Sequence, residues 1–229
     1  ARNRGLKEIS TPYTMFFDSD DIMAPNHAKR AIDAFAKNPE LDVVGWDIDV
    51  ETLNGDTTQY RFCDKDALYN HIFHATFATQ RFAARTELFR NVGGWNEQLL
   101  GWDDYEYGVR ILLSNPKIKK LTGAPTVKAI LQSQSITGTC FSSRPHEWET
   151  ALNIIDQTLI ANHRQDMLKY IDVRRAILAG FYQREGDNKN AKRLLSEVLS
   201  RSGWYRKLIM KLFYNIIRKG GRGIALLAR

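Results

Sequence analysis

The chain has 229 residues, 43% of them hydrophobic and 26% charged, and carries a formal net charge of +7. These figures suit one sizeable globular domain or a domain with an appendage; no apolar run of about eighteen residues is present to form a transmembrane helix, and the opening residues do not read as a signal peptide. Cys63 and Cys140 stand far apart and outside any Cys-x-x-Cys spacing, which argues against a disulfide framework or a zinc site and is compatible with a reducing cytoplasm.

Taken in chain order, Tyr13 to Phe17 reads as a short buried strand. Pro25 suits the first position of a helix with apolar residues at Ala28, Ala31, Ile32 and Phe35, and Asn38-Pro39 stops it. Val43 to Val50 reads as one strand, and Asn54-Gly55 marks a hairpin before Thr57 to Phe62. Asp66 to about Phe73 reads as helix and Thr79 to Ala84 as strand. Thr86 then caps a short helix that ends at Gly93-Gly94. Asp104 to Ser114 has helical spacing and stops at Asn115-Pro116; residues 117–131 read as strands with a Gly-Ala-Pro turn. Mixed strands and helices without a repeat imply an α/β layer structure.

From about Pro145 the pattern turns purely helical. Trp148, Ala151, Leu152, Ile155 and Leu159 make one apolar stripe and Ala191, Leu194, Leu195, Val198 and Leu199 another, with Gly186-Asp187 between two helices. The expected division is therefore residues 1–143 and a helical extension over 144–229. The charge is as uneven as the structure. Arg201 to Arg229 holds eight basic residues and no acidic one, which leaves residues 1–200 near −1. The basicity thus belongs to the tail, where Trp204, Leu208, Leu212, Phe213, Ile216 and Ile217 alternate with Lys and Arg. Such a segment suits contact with an anionic membrane or packing on the rest of the chain; no RNA-binding motif accompanies it, and nucleic acid is not an expected partner.

Chemistry concentrates in the segment "YTMFFDSDDIMAPN". Asp18, Asp20 and Asp21 follow the first strand, where open α/β sheets bind ligands. A hard divalent cation, Mg²⁺ or Mn²⁺, would relieve their repulsion and bridge to phosphates; a solvated acidic turn is the alternative. An EF-hand loop is excluded, because Ile22 and Met23 stand where Asp/Asn and Gly are required. A haloacid-dehalogenase-type phosphatase, with Asp18 as nucleophile and Asp20 as acid/base, fits poorly at Met23.

The segment "ARNRGLKEISTPYTMFFDSDD" resembles the centre of glycosyltransferase family 2, the inverting enzymes of GT-A fold, and "FAARTELFRNVGGWNEQLLGWDDYEYGVRIL" resembles the same family's acceptor region, in the matching order. The resemblance covers about residues 1–140. It implies a partial GT-A mixed sheet with flanking helices and a sugar moved from a nucleoside diphosphate to a hydroxyl acceptor, in polysaccharide or glycolipid assembly. On it, Asp18 and Asp20 hold the metal and, with Arg2, Asn3 and Asp21, the nucleotide sugar. Asp104 is the general base. Trp95, Glu97, Trp102 and Asp103 lie toward a saccharide or lipid-linked acceptor. Other readings stay open for several of these: a loop clamp for Arg2 and Asn3, an N-cap for Asp104, core packing for Trp95. A helix start would also favour the ionised form of Asp104.

Two departures stand out. The family's opening strands, which precede Ala-Arg-Asn, are not in the chain, so it reads as part of a longer enzyme, with a non-catalytic carbohydrate-binding or scaffold module as another possibility. Relatives often place a metal-ligating His in a segment similar to "AILQSQSITGT", where this chain has Gln132. His71, His74 and His146 have no ligand-like spacing. The expected location is cytoplasmic, peripheral at the inner face of the cell membrane.

Overall fold

The structure is a computed structural model and describes residues 1–131 and 140–221; Gln132 and the last eight residues of the tail lie outside them. The chain folds as two compact units, Ala1–Gln98 with Asp103–Gly138, and Leu99–Trp102 with Thr139–Arg229.

The first unit is α/β. In chain order it contains α1 (Arg2–Glu8), β1 (Tyr13–Met15), β2 (Ile22–Met23), α2 (His27–Lys37), β3 (Val43–Gly45), β4 (Ile48–Glu51) and β5 (Thr57–Tyr60). After these come α3 (Ala67–His74), β6 (Phe82–Arg85), α4 (Thr86–Asn91), α5 (Asp103–Leu113), β7 (Ile118–Lys120) and β8 (Val127–Ile130). The strands form two mixed four-stranded sheets, β1-β6-β3-β7 and β2-β8-β4-β5. Only β3/β7 and β4/β8 run parallel. The hydrophobic core lies under α2, whose Phe35 stacks on Tyr13 at 4.1 Å and meets Val44, Trp46 and Ile48. Each such large apolar side chain contributes on the order of 2 kcal/mol by leaving water.

The single strand expected over Val43 to Val50 is two strands, one in each sheet. The break falls at Gly45–Asp47. A Cβ on Gly45 would sit 2.1 Å from the Phe62 ring. Trp46 N–H donates to Arg81 O, and the Asp47 carboxylate accepts Phe62 N–H (2.6 Å) and pairs with Lys120 (2.7 Å). Here the chain leaves one sheet for the other. Thr79–Arg81 is a 3₁₀ turn rather than the start of β6. Thr86 does not cap α4 with its side chain. Its hydroxyl donates instead to Thr11 O (2.6 Å) and receives the Thr14 hydroxyl (2.7 Å), tying α4 to β1.

The second unit contains α6 (Pro145–Ala161), α7 (Leu168–Arg184), α8 (Asn188–Ser200) and α9 (Trp204–Arg218). Trp148, Ala151, Leu152, Ile155 and Leu159 of the expected stripe are all buried; of the second stripe Ala191, Leu194 and Val198 are, while Leu195 and Leu199 stay partly exposed. Asp187 caps α8 by accepting Asn190 N–H (3.0 Å). Among the described residues no helix is long and apolar enough to cross a membrane.

Candidate active site

Phe16 and Phe17 follow directly on strand β1, and Phe16 packs edge-on against Phe89 and Trp95. That anchorage fixes where the following turn begins. Asp21 N–H closes the turn on Asp18 O (3.2 Å), and Asp21 Oδ1 accepts Ile130 N–H (3.2 Å). Asp21 Oδ2 is buried and has no hydrogen-bond partner among the described residues. Burial, with Asp18 and Asp20 adding repulsion against the Ile130 N–H, pushes the Asp21 carboxyl up to about 6.

Trp102, at φ +57°, precedes α5, which opens with Asp103 and Asp104 in its first turn. The fold brings this helix start to the acidic turn. Asp18 feels Asp20 and Asp103; Asp104 feels Asp103 and Asp18. Among the described residues one guanidinium faces the group: Arg2 pairs with Asp103 (3.1 Å), contacts Thr79 Oγ1 (3.4 Å) and lies over the Trp95 ring at 5.4 Å. It acts on both Asp18 and Asp104. Burial raises the Asp18 carboxyl above its usual range, Arg2 opposing and the neighbouring aspartates assisting.

Asp104 corrects one expectation. A helix start favours an ionised carboxylate, yet burial and the adjacent Asp103 outweigh Arg2 and the Tyr105 N–H and push Asp104 up to about 6. Loss of hydration is the largest effect, and the full charge of Asp103 adds to it against the partial charge of the helix terminus. A carboxylate with this pKa stays mostly deprotonated at pH 7 and holds a proton more readily than an ordinary aspartate, which is the compromise a general base needs. Asp104 lies inside the first turn, one residue past the helix start, and is not its cap.

Asn3 is a clamp. Its amide donates to Trp95 O (2.8 Å) and Glu97 Oε1 (2.9 Å), and its oxygen accepts Trp95 N–H (2.8 Å). Both amide hydrogens are committed within the protein. The clamp fits because residue 94 is glycine, at φ +72°, where a Cβ would stand 2.5 Å from Asn3 Oδ1. Trp95 is buried against Phe16, Phe89 and Tyr107, so its ring belongs to the core. Trp102 packs in the helical unit against Phe141 and Trp148, with Arg174 over its ring.

Arg110 makes a two-point bond to the buried Glu106 (2.6 and 2.8 Å) and donates to Val92 O and to Gly94 O (2.6 Å). It thereby latches the Gly93-Gly94 turn to α5; the Glu-x-x-x-Arg spacing was the available signal. His71 is structural: Phe77 N–H donates to Nδ1 (3.1 Å), so Nε2–H donates to Tyr105 O (2.8 Å).

Among the described residues no three His, Cys, Asp or Glu side chains are grouped to hold a metal ion. The donor set still fits Mg²⁺ or Mn²⁺ of the kind that uses one or two carboxylates and completes its shell with water and phosphate oxygens. Asp18 and Asp20 are such a pair, crowded enough for Asp20 to raise Asp18.

The two mixed sheets, flanking helices and acidic turn at a strand end make the first unit a partial GT-A fold. Residues 1–93 match the profile of glycosyl transferase family 2. Crystal structures of TarS from S. aureus share the architecture. One is 17% identical, with a TM-score of 0.58 over 95% of this chain and 39% of that one. The 1-349 form is 16% identical in both ligand complexes. With UDP the TM-score is 0.57, over 96% of this chain and 69% of that one; with UDP-GlcNAc it is 0.62, over 96% and 70%. The chain thus spans well under half of the longer TarS chain. No curated protein sequence matches it. The family match favours the transferase expectation over the phosphatase one.

Proposed function

We propose that residues 1–143 form the carboxyl-terminal part of the catalytic domain of an inverting glycosyltransferase, which moves a sugar from a nucleoside diphosphate to a hydroxyl of a saccharide or lipid-linked acceptor. One observation carries the reading: in a unit whose first 93 residues match the family 2 profile, Asp18 behind β1 meets Asp103 and Asp104 at the start of α5, with Arg2 paired to Asp103. The TarS complexes, which hold UDP and UDP-GlcNAc, support a nucleotide-sugar donor.

In this mechanism Asp104 accepts the proton of the acceptor hydroxyl while its oxygen attacks the anomeric carbon. The bond from that carbon to the diphosphate breaks, and the electron pair leaves with the diphosphate. Arg2 keeps the facing carboxylates in place and supplies positive charge beside the departing group. Asn3 and the Arg110 latch hold the Trp95–Glu97 loop, leaving Glu97 at the rim for an acceptor hydroxyl. Asp18 and Asp20 would hold Mg²⁺ or Mn²⁺, which supplies Lewis-acid stabilisation to a leaving diphosphate. Work at the cytoplasmic face of a membrane belongs to the same proposal.

The test is sugar transfer by the full-length protein across a panel of nucleotide sugars with Mn²⁺. Asp104→Asn should lower kcat by about 10²–10⁴ and leave donor affinity in calorimetry unchanged, whereas Asp20→Ala should weaken metal-dependent donor binding. Normal transfer by Asp104→Asn would remove the base assignment.

A further inference from the structure

Helix α9 carries two different apolar faces. Met210, Phe213, Tyr214 and Ile217 are buried, α9 packs on α7, and Tyr214 Oη donates to Gln183 Oε1 (2.9 Å). This face is satisfied within the helical unit. On the opposite side Trp204, Leu208 and Leu212 are 76%, 57% and 48% exposed, with Tyr205 beside them at 62%. Their four-residue spacing lines them up along the helix. Lys207, Lys211 and Arg218 border the row. From Arg201 to Gly221 the chain holds six basic residues and no acidic one.

A row of large apolar side chains in water marks a surface that something covers. The charge says what kind. A second copy of this face would bring one basic border against another, which opposes self-association. An anionic lipid surface accepts both components: apolar rings and leucines at the headgroup–acyl boundary, lysines and arginines on the headgroups. We propose that the outer face of α9 docks the protein on an anionic membrane surface, the helix lying in the plane of the interface. At 15 residues it does not cross a bilayer. Phe213 and Ile217, which the sequence places in the same apolar set, belong to the fold, so the contact surface is Trp204, Tyr205, Leu208 and Leu212 with their basic border. The proposal stands on the helical unit and is independent of the transfer chemistry.

The experiment is co-sedimentation of the full chain with vesicles of phosphatidylcholine alone or mixed with phosphatidylglycerol, at low and high salt. Binding is expected only to the anionic vesicles and should weaken with salt. Lys207→Gln with Lys211→Gln should weaken it about thirty-fold. Leu208→Ser with Leu212→Ser should weaken it at both salt concentrations. The emission difference between the wild type and Trp204→Phe should shift to the blue on binding. Circular dichroism of each variant confirms the fold, which these exposed positions should not disturb. Absence of binding to anionic vesicles overturns the proposal, as does binding unchanged in both double variants. So does a homodimer in sedimentation equilibrium that the leucine double variant dissociates while vesicle binding is unaffected.

Discussion

Two clusters of charge sit in the two units, and they are balanced differently. In the helical unit the buried Arg175 pairs with Asp156 (2.8 Å) and Asp172 (3.7 Å), and Arg201 Nε reaches Asp172 from the other side (3.0 Å). Arg201 also reaches Glu197 (3.4 Å), which Arg193 meets in turn (3.9 Å), so each of these carboxyl groups has a guanidinium partner, and Asn153 takes a further hydrogen bond from Arg175 (2.9 Å). In the α/β unit Asp18, Asp103 and Asp104 share Arg2, the one cation that acts on them among the described residues, and Asp20 adds its charge beside Asp18. Burial raises the carboxyl of Asp156 as it does those of Asp18 and Asp104, so desolvation does not separate the two. The count of cations does. A cluster whose carboxylates are each paired holds helices together; one left with excess negative charge is arranged to receive positive charge from elsewhere.

That contrast can be broken at several points. The largest effect should come from pH. If Asp104 is the base, kcat/KM falls tenfold for each pH unit below about 6, following one proton; a profile flat down to pH 5 would detach the cleft from the chemistry. Next is Arg175→Met. Removing one partner of a buried pair leaves carboxylates uncompensated, which should cost about 3 kcal/mol in urea unfolding at neutral pH while kcat per folded molecule stays unchanged. A loss of transfer without loss of stability would mean the helical cluster is not structural. The smallest effect has the opposite sign. The unfolded Asp104 ionises near 3.8 and the folded one near 6. The folded state therefore binds the extra proton between those values, and stability falls as pH rises through them. Asp104→Asn removes that penalty, so at pH 7.5 it should raise unfolding stability by about 1 kcal/mol, reduced from the full shift because the side chain keeps an exposed edge. A destabilised Asp104→Asn would show that the carboxylate is held by compensating bonds.

Much of this was legible in the sequence where the signal is local. The stripe on α6 repeats at helical spacing, Asn54-Gly55 marks the β4–β5 hairpin, and Asp-x-Asp-Asp after a bulky apolar run marks the acidic turn. What escaped depends on distant partners. The crossing at Gly45–Asp47 is decided by the Phe62 ring and by Lys120, neither of them a neighbour in sequence. The pKa of Asp104 is set by how much water the fold removes, against which a helix-start argument is too weak. The tail looked uniformly amphipathic because period 3.6 cannot tell an apolar face that packs on α7 from one that does not.

The turn bearing Asp18 and Asp20 is strung between two separate sheets. Strand β1 moors it on one side, hydrogen-bonded to β6, and on the other β2 and the Ile130–Asp21 bond moor it to β8. A turn with both ends tethered has little slack, so like charges cannot drift apart by bending the backbone. The aspartates stay at their spacing before any ligand arrives, and an incoming cation need not gather them.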